Sequence, residues 1–257
     1  VDEVYDIFKE HNIATRTIEI NLKNRFISRE QKSNNRQLIM DGNIFVTSDL
    51  HLSHANMMDW ELGRWDLCGI TQHKAIVKEI KSDNLSAEEF EKLTDDQWNN
   101  YKKRANEKYV KEYDKEIIRR WNEVVGEKDT VYVLGDFSFA SGKETNKYLK
   151  QMNGKKILIK GNHENIWMDK DADLSLWYMI LDYAEIKYKK HHFCMMHFPI
   201  QTWNKQHHGS IHLYGHVHSN TTTSHPMRFE IENSYNVGVD VNNYYPVNIN
   251  NFIKEQM

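Results

Sequence analysis

The sequence predicts an α/β fold, and three observations carry that prediction. Short runs of β-branched, aliphatic and aromatic residues recur at Ile44-Phe45-Val46, Val131-Tyr132-Val133-Leu134, Ile157-Leu158-Ile159 and Ile211-His212-Leu213-Tyr214, with the length and composition of buried strands. Segments of helical period stand between them. The order strand, helix, turn, strand from Thr130 to Lys160 reads as a βαβ unit, which packs strands between helical layers. At 257 residues the chain is long enough for one substantial core.

The first 40 or so residues are polar, with a β-prone stretch at Thr15 to Ile20 and breakers at Ser33 to Asn35, so 1–40 reads as an appendage to a domain spanning 41–257. Ile44 to Val46 opens that domain. Thr71 to Ile80 is apolar at Ile76, Val77 and Ile80, a short helical pattern. Ser86 with Glu89, and Thr94 with Gln97, have the capping-box spacing, so two helices begin there, within a helical insertion at about residues 81–122. In the second, Trp98, Tyr101, Ala105, Tyr109, Tyr113, Ile117 and Trp121 form one apolar stripe. Packing against a sheet or helix is the expected use of that stripe, ahead of a base-stacking platform. Lys102, Lys103, Arg104, Lys108 and Lys111 interleave with Glu107, Glu112, Asp114 and Glu116, the pattern of a solvated face. Further on come a helix from about Lys143 to Met152, a turn at Gly154, and β-prone runs at Ile186 to Lys189, Phe193 to Met196, Ser210 to Tyr214 and Tyr235 to Val241.

Composition excludes several classes. A net charge of −3 and a pI near 6.6 give no global attraction to nucleic acid or to a membrane surface, so any grip on a phosphate polymer must be local. Cys68 and Cys194 stand far apart and outside any Cys-x-x-Cys pattern, which suits a reducing compartment. No apolar run approaches the ~20 residues of a membrane span, and Val1-Asp2-Glu3 lacks the basic-then-apolar layout of a signal peptide. The expectation is a cytoplasmic protein with no membrane partner.

Five fragments carry metal-binding chemistry: Asp49 with His51, Asp136, Asn162 with His163, His197, and His216 with His218. Within an extended segment or sharp turn, residues two apart can present both side chains to one point. The set supplies oxygen and nitrogen ligands of the kind Mn, Fe or Zn accept, enough for two ions side by side. Each fragment follows a β-forming run, and α/β sheets keep their sites at the carboxyl ends of their strands.

In this order, Asp-x-His (Asp49, His51), Gly-Asp (Gly135, Asp136), Gly-Asn-His-Glu (Gly161 to Glu164), an isolated His after a strand (His197) and Gly-His-x-His (Gly215, His216, His218) resemble the calcineurin-like metallophosphoesterases. The resemblance runs from about Asn43 to Val247, and compact phage and prokaryotic members look similar in the first loop and around Gly-His-x-His. It implies a four-layer sandwich, two mixed β-sheets flanked by helices, with the metals at one rim. It also implies Asp49, His51 and His218 on one metal, Asn162, His197 and His216 on the other, and Asp136 bridging. His163 would then hydrogen-bond the phosphate or protonate the leaving oxygen. Two cations ~3.5–4 Å apart share a water, make it a hydroxide at neutral pH and clamp the phosphoryl oxygens. Mn2+ is the first expectation, with Fe, Zn or Ni also suited to the ligands.

Charge counting narrows the substrate. Two divalent ions, less two carboxylates and a hydroxide, leave about one positive charge, which a phosphodiester balances. Protein phosphatases of the superfamily carry an Asp-Arg-Gly continuation after Gly-Asp that supplies an extra cation. Here Asp136 runs into Phe137-Ser138-Phe139-Ala140. A diester, cyclic or linear, of a small nucleotide is therefore the expected substrate. A nuclease or RNA-end phosphoesterase, with the Trp98 to Trp121 helix as a wall for nucleic acid, stays open, as do a phosphomonoesterase and a binding module without chemistry. His54, one turn beyond His51, is a substrate contact, an auxiliary acid or a prop for its neighbours. Arg64 is expected to grip phosphate, and Asn162 to touch substrate. His191, His192, His207, His208 and His212 match no zinc-finger spacing and read as packing or surface residues.

Overall fold

A computed structural model describes residues 42–164, 169–219 and 231–253; the appendage expected at 1–40 lies outside the described residues. Two mixed sheets make the frame. The first holds β1 (Ile44–Thr47), β2 (Thr130–Val133), β3 (Lys155–Ile159) and β4 (Met179–Leu181) in the order β4-β3-β2-β1, all parallel, with β9 (Val247–Asn248) antiparallel on β1. The second runs β5-β6-β7-β8, from Ala184–Tyr188, His191–Met195, Ile211–Tyr214 and Ser234–Asn236, with β5 antiparallel and the rest parallel.

The period of two along each strand divides the core. Ile44, Val46, Tyr132, Leu134, Ile157 and Ile159 face Phe193, Met195, Ile211 and Leu213 of the second sheet. Phe45, Val131, Val133 and Leu158 face the helices. Such runs read as continuous hydrophobic stretches because both faces of a parallel sheet are buried. The β-prone run from Tyr235 is shorter than expected: the strand ends at Asn236, and Gly238 leads into a 3₁₀ turn at Val239–Val241.

Short helices α1 (Met57–Trp60) and α2 (Gly63–Leu67) precede α3 (Gln72–Ser82), α4 (Ala87–Glu91) and α5 (Asp95–Val124); α6 (Gly142–Gln151) is the β2–β3 crossover. Both capping boxes form, at Ser86 with Glu89 and at Thr94 with Gln97. The α5 stripe is core, with Tyr101, Ala105, Tyr113, Ile117 and Trp121 buried beside Leu50, Leu52 and Val131. Trp121, 1% exposed, sends its indole N–H to Asn153 O at 3.0 Å, and truncating such a buried ring costs about 3–5 kcal/mol. On the outer side Lys102, Lys103, Arg104 and Lys108 pair with Asp59, Glu107, Asp83 and Glu79, so those cations are spent on neighbouring carboxylates. Helix α5 also braces the first site loop. Tyr113 donates its hydroxyl to Leu50 O at 3.0 Å, and Asp114 accepts the N–H of Ser53 at 2.9 Å and the Tyr148 hydroxyl at 2.9 Å. Among the described residues, no helix is long and apolar enough to cross a membrane.

Candidate metal centre

The carboxyl ends of β1, β2, β3, β6 and β7 meet at one rim, and each delivers its fragment there. Asp49, His51, Asp136 and His197 are each at most 2% exposed, while Asn162, His163 and His216 face solvent. Sharp turns rather than extended strands aim the paired ligands. Asp49, His51, Asp136, His216 and His218 all have positive φ, at 59°, 47°, 52°, 71° and 46°. Left-handed conformation in residues other than glycine costs about 1–3 kcal/mol each and persists where surrounding contacts enforce it. Two glycines make room for those contacts. A Cβ on Gly215 would fall on Ser48 Oγ and the Asp49 carboxylate, and one on Gly135 would lie 2.5 Å from His197 Nδ1.

Asp136 Oδ2 stands 3.6 Å from both His51 Nε2 and His197 Nε2, midway between the two groups. Its other oxygen accepts the His163 backbone N–H at 3.0 Å. Asp49 accepts the His216 N–H at 2.9 Å and lies 4.0 Å from His218 Nε2. Among the described residues, two of the three trios with ligand atoms mutually within 4.8 Å include Asp49: Asp49, His51 and His218, and Asp49, Asp136 and His197. Asp49 belongs to both, whereas the family resemblance implies sharing by Asp136 alone. Asn162 Oδ1 is 2.9 Å from His197 Nε2, and the His216 ring centroid is 5.1 Å from that of His197.

These residues fit cations on their own chemistry. His197 Nδ1 sits 2.7 Å from Leu134 O; a carbonyl only accepts, so Nδ1 carries a proton and Nε2 is the nitrogen that can offer a cation its lone pair. That lone pair faces Asn162 Oδ1, another acceptor. His51 Nε2 is buried without a hydrogen-bond partner, and burial, reinforced by Arg64, holds that imidazole well below its usual pKa, in the form that can ligate. Burial also raises Asp49, against the pull of His218 and His197 and with the help of the Asp136 charge. For His218, burial is outweighed by the hydrogen bond to Asp240 and the charge of Asp49, and its pKa rises. Buried carboxylates and imidazoles with unspent lone pairs are what a divalent ion satisfies.

His54 stacks on Phe139 with ring centroids 3.6 Å apart, and its Nδ1 lies 3.2 Å from His51 Nδ1. Burial, followed by Arg64 and His163, takes its pKa down to about 4. Arg64 corrects an expectation: it does not reach toward substrate. It is 1% exposed, it forks onto Asp240, and it donates to the Asp49 and Leu50 carbonyls. A guanidinium at the start of a short helix packed under the loop points inward, which spacing alone does not reveal. Three contributors escaped sequence reasoning. Asp240 accepts from His218 Nδ1 at 2.8 Å; its signal was an Asp two residues after Gly238 at the end of a β-run. Glu164, inside the Gly-Asn-His-Glu string, receives three backbone N–H groups. Phe139 borders His51, His54 and His163.

Fold and site together define a metal-dependent phosphoesterase. The sequence matches the family described as calcineurin-like phosphoesterase over residues 42–237, and the chain belongs to that dinuclear-metal family. It is 32% identical over 147 residues to an uncharacterized protein of Methanocaldococcus jannaschii, spanning 56% of this chain and 76% of that one. It is 26% identical over 226 residues to the gene 66 protein of Mycobacterium phage L5, spanning 77% of this chain and 86% of the phage protein. A solved structure of a protein of unknown function from Aquifex aeolicus aligns over 80% of this chain and 95% of its own, at 21% identity and a TM-score of 0.49.

Proposed function

We propose that this phosphoesterase is a phosphodiesterase acting on a small nucleotide, cyclic or linear. Asp49, His51 and His218 would hold one cation, Asn162, His197 and His216 the other, and Asp136 would serve both. Bound there, the ions supply a deprotonated water at neutral pH and positive charge for the phosphoryl oxygens. His163, whose ring faces solvent at the rim with its centroid 6.1 Å from that of His51, protonates the leaving oxygen. Asn162, also exposed at the rim, touches the phosphate.

The observation that carries the diester reading is the inward turn of Arg64. Among the described contacts it is the Arg or Lys that touches this constellation, and it is consumed by Asp240 and two carbonyls. Paired in this way, Arg64 adds no net cation to the charge of the ions, and about one positive charge remains for the substrate. Exposed rings beside the centre support a nucleotide as the ester. Phe139 is 39% and Trp60 55% exposed, and both contact His54; such rings stack on a base. The test is turnover by the Mn-loaded protein of bis-nitrophenyl phosphate against the monoester, with a panel of cyclic and linear nucleotides. Preference for the diester and for nucleotides is expected; preference for the monoester overturns the reading.

A further inference from the structure

Behind the first metal position lies a buried ion pair that the family motifs do not include. His218 Nδ1 is 2.8 Å from Asp240 Oδ2. A carboxylate accepts, so Nδ1 carries a hydrogen, and Nε2, 4.0 Å from Asp49 Oδ1, is the ring nitrogen left to ligate a cation. Asp240 is itself immobilised. Arg64 Nε donates to Oδ1 at 3.0 Å and its NH2 group to Oδ2 at 2.9 Å, and both side chains are 1% exposed. The same guanidinium donates to Asp49 O at 3.0 Å and Leu50 O at 3.3 Å, and lies 4.7 Å over the Tyr113 ring. One side chain thus ties the loop that carries Asp49, held at φ 59°, to the turn that carries Asp240.

We propose that Asp240 and Arg64 are a positioning pair that fixes the tautomer and direction of His218 and the backbone of Asp49, so that both ligands are set before a cation arrives. This rests on the two-metal reading above. The pairing is charge-neutral, so it orients ligands without altering the balance that favours a diester. A lysine could not replace Arg64, because a point ammonium cannot fork two carboxylate oxygens and still reach two carbonyls in the same plane. Glu61, His218 and Asp240 also lie close enough to resemble a third metal trio. Their atoms are already engaged, with both Asp240 oxygens on Arg64, His218 Nδ1 on Asp240, and Glu61 Oε2 accepting the Ser219 hydroxyl at 2.7 Å. That trio supports the centre rather than adding an ion to it.

The test uses 15N NMR of the histidine rings in the whole chain, first treated with chelator and then titrated with Zn2+. Wild type is expected to show His218 as the Nδ1–H tautomer before metal is added. In Asp240→Asn that preference should be lost, and Zn2+ affinity read at His51 and His218 should fall about 10–100-fold, the usual effect of removing a partner behind a ligand. Affinity read at His197 and His216 should fall less, since that position feels the change only through the shared Asp49. Arg64→Lys should shift the first position in the same direction. An Nε2–H tautomer in wild type overturns the proposal whether or not the variants fold. Unchanged affinity at His218 in Asp240→Asn, or equal weakening at both positions, also overturns it. A wild-type protein that binds no Zn2+ at either position overturns the two-metal reading instead, and the tautomer measurement still decides the role of Asp240.

Discussion

Glu164 holds Asp136 from behind: its Oε2 accepts the Asp136 backbone N–H at 2.7 Å. The same carboxylate accepts from Gly161 N and Phe137 N, each at 2.7 Å, and so joins the loops after β2 and β3. Burial pushes its pKa up to about 7 against those three hydrogen bonds. Glu164→Gln keeps the shape but turns an amide donor toward backbone donors. Above that pKa, at about pH 8, loss of charged hydrogen bonds at a 5% exposed position should cost about 2–3 kcal/mol of stability. Urea unfolding of the chelated protein measures it, and a change below about 0.5 kcal/mol would show that Glu164 is no anchor.

Asp136 and Asn162 separate the two metal positions. Asp136 Oδ2 is equidistant from His51 Nε2 and His197 Nε2 at 3.6 Å, whereas Asn162 Oδ1 contacts His197 alone of the pair, at 2.9 Å. Asp136→Ala should reduce metal content at both positions, and Asn162→Ala chiefly at the second. Metal analysis of the purified variants decides this. Two tightly held ions in Asp136→Ala would end the bridging assignment.

Gly215 and Gly209 make a matched pair. Gly209 has φ +76° with nothing within 4 Å of an added Cβ, while a Cβ on Gly215 would strike Ser48 Oγ and the Asp49 carboxylate. Gly209→Ala should cost only backbone strain, about 1 kcal/mol. Gly215→Ala should cost about 1–3 kcal/mol of overpacking and displace Asp49 as well, lowering metal content. Thermal melts and metal analysis compare them directly; equal behaviour of the two variants would remove the packing argument.

Much of the frame was legible because parallel strands buried on both faces leave unbroken apolar runs, and Ile44-Phe45-Val46 and Ile157-Leu158-Ile159 are such runs. The capping boxes were legible because they are local, decided by Ser86, Glu89, Thr94 and Gln97 alone. What escaped depends on contacts far apart in sequence. Arg64 and Asp240 are 176 residues apart, and no spacing marks the one as the partner of the other. Strand β9 has two residues, too few to show a period. Glu164 was visible as a letter of a motif, but its task, to gather N–H groups from a loop 27 and 28 residues earlier, exists only once β2 and β3 lie side by side.

Glu116 on α5 should give the protein part of its resistance to acid. Hydrogen bonds from Arg119, and then from Arg120, hold its carboxyl down to about 2 against the opposing effect of burial. The folded pKa lies below the ordinary value of 4.5, so folding favours the charged form. The stabilisation is therefore complete above about pH 4.5 and is lost as pH falls from there toward 2. Its size is that of exposed ion pairs, under about 1 kcal/mol. Glu116→Gln should melt about 2 °C below wild type at pH 7, and the gap should close on acidification. A gap that stays constant with pH would assign the loss to packing.

His163 separates proton transfer from ligation. Its backbone N–H is fixed on Asp136 Oδ1 at 3.0 Å, and its ring stands 5.2 Å from Phe139 between centroids, outside both metal trios. His163→Ala should therefore keep its metal content yet lose about 10²–10⁴-fold in rate on a nucleotide diester, the usual contribution of a general acid. The loss should shrink on bis-nitrophenyl phosphate, because nitrophenolate leaves as a stable anion and needs little protonation. Equal losses on the two esters would move His163 from the leaving group to phosphate binding. Loss of a metal ion in the variant would make it a ligand or the support of one, and the acid role would fall.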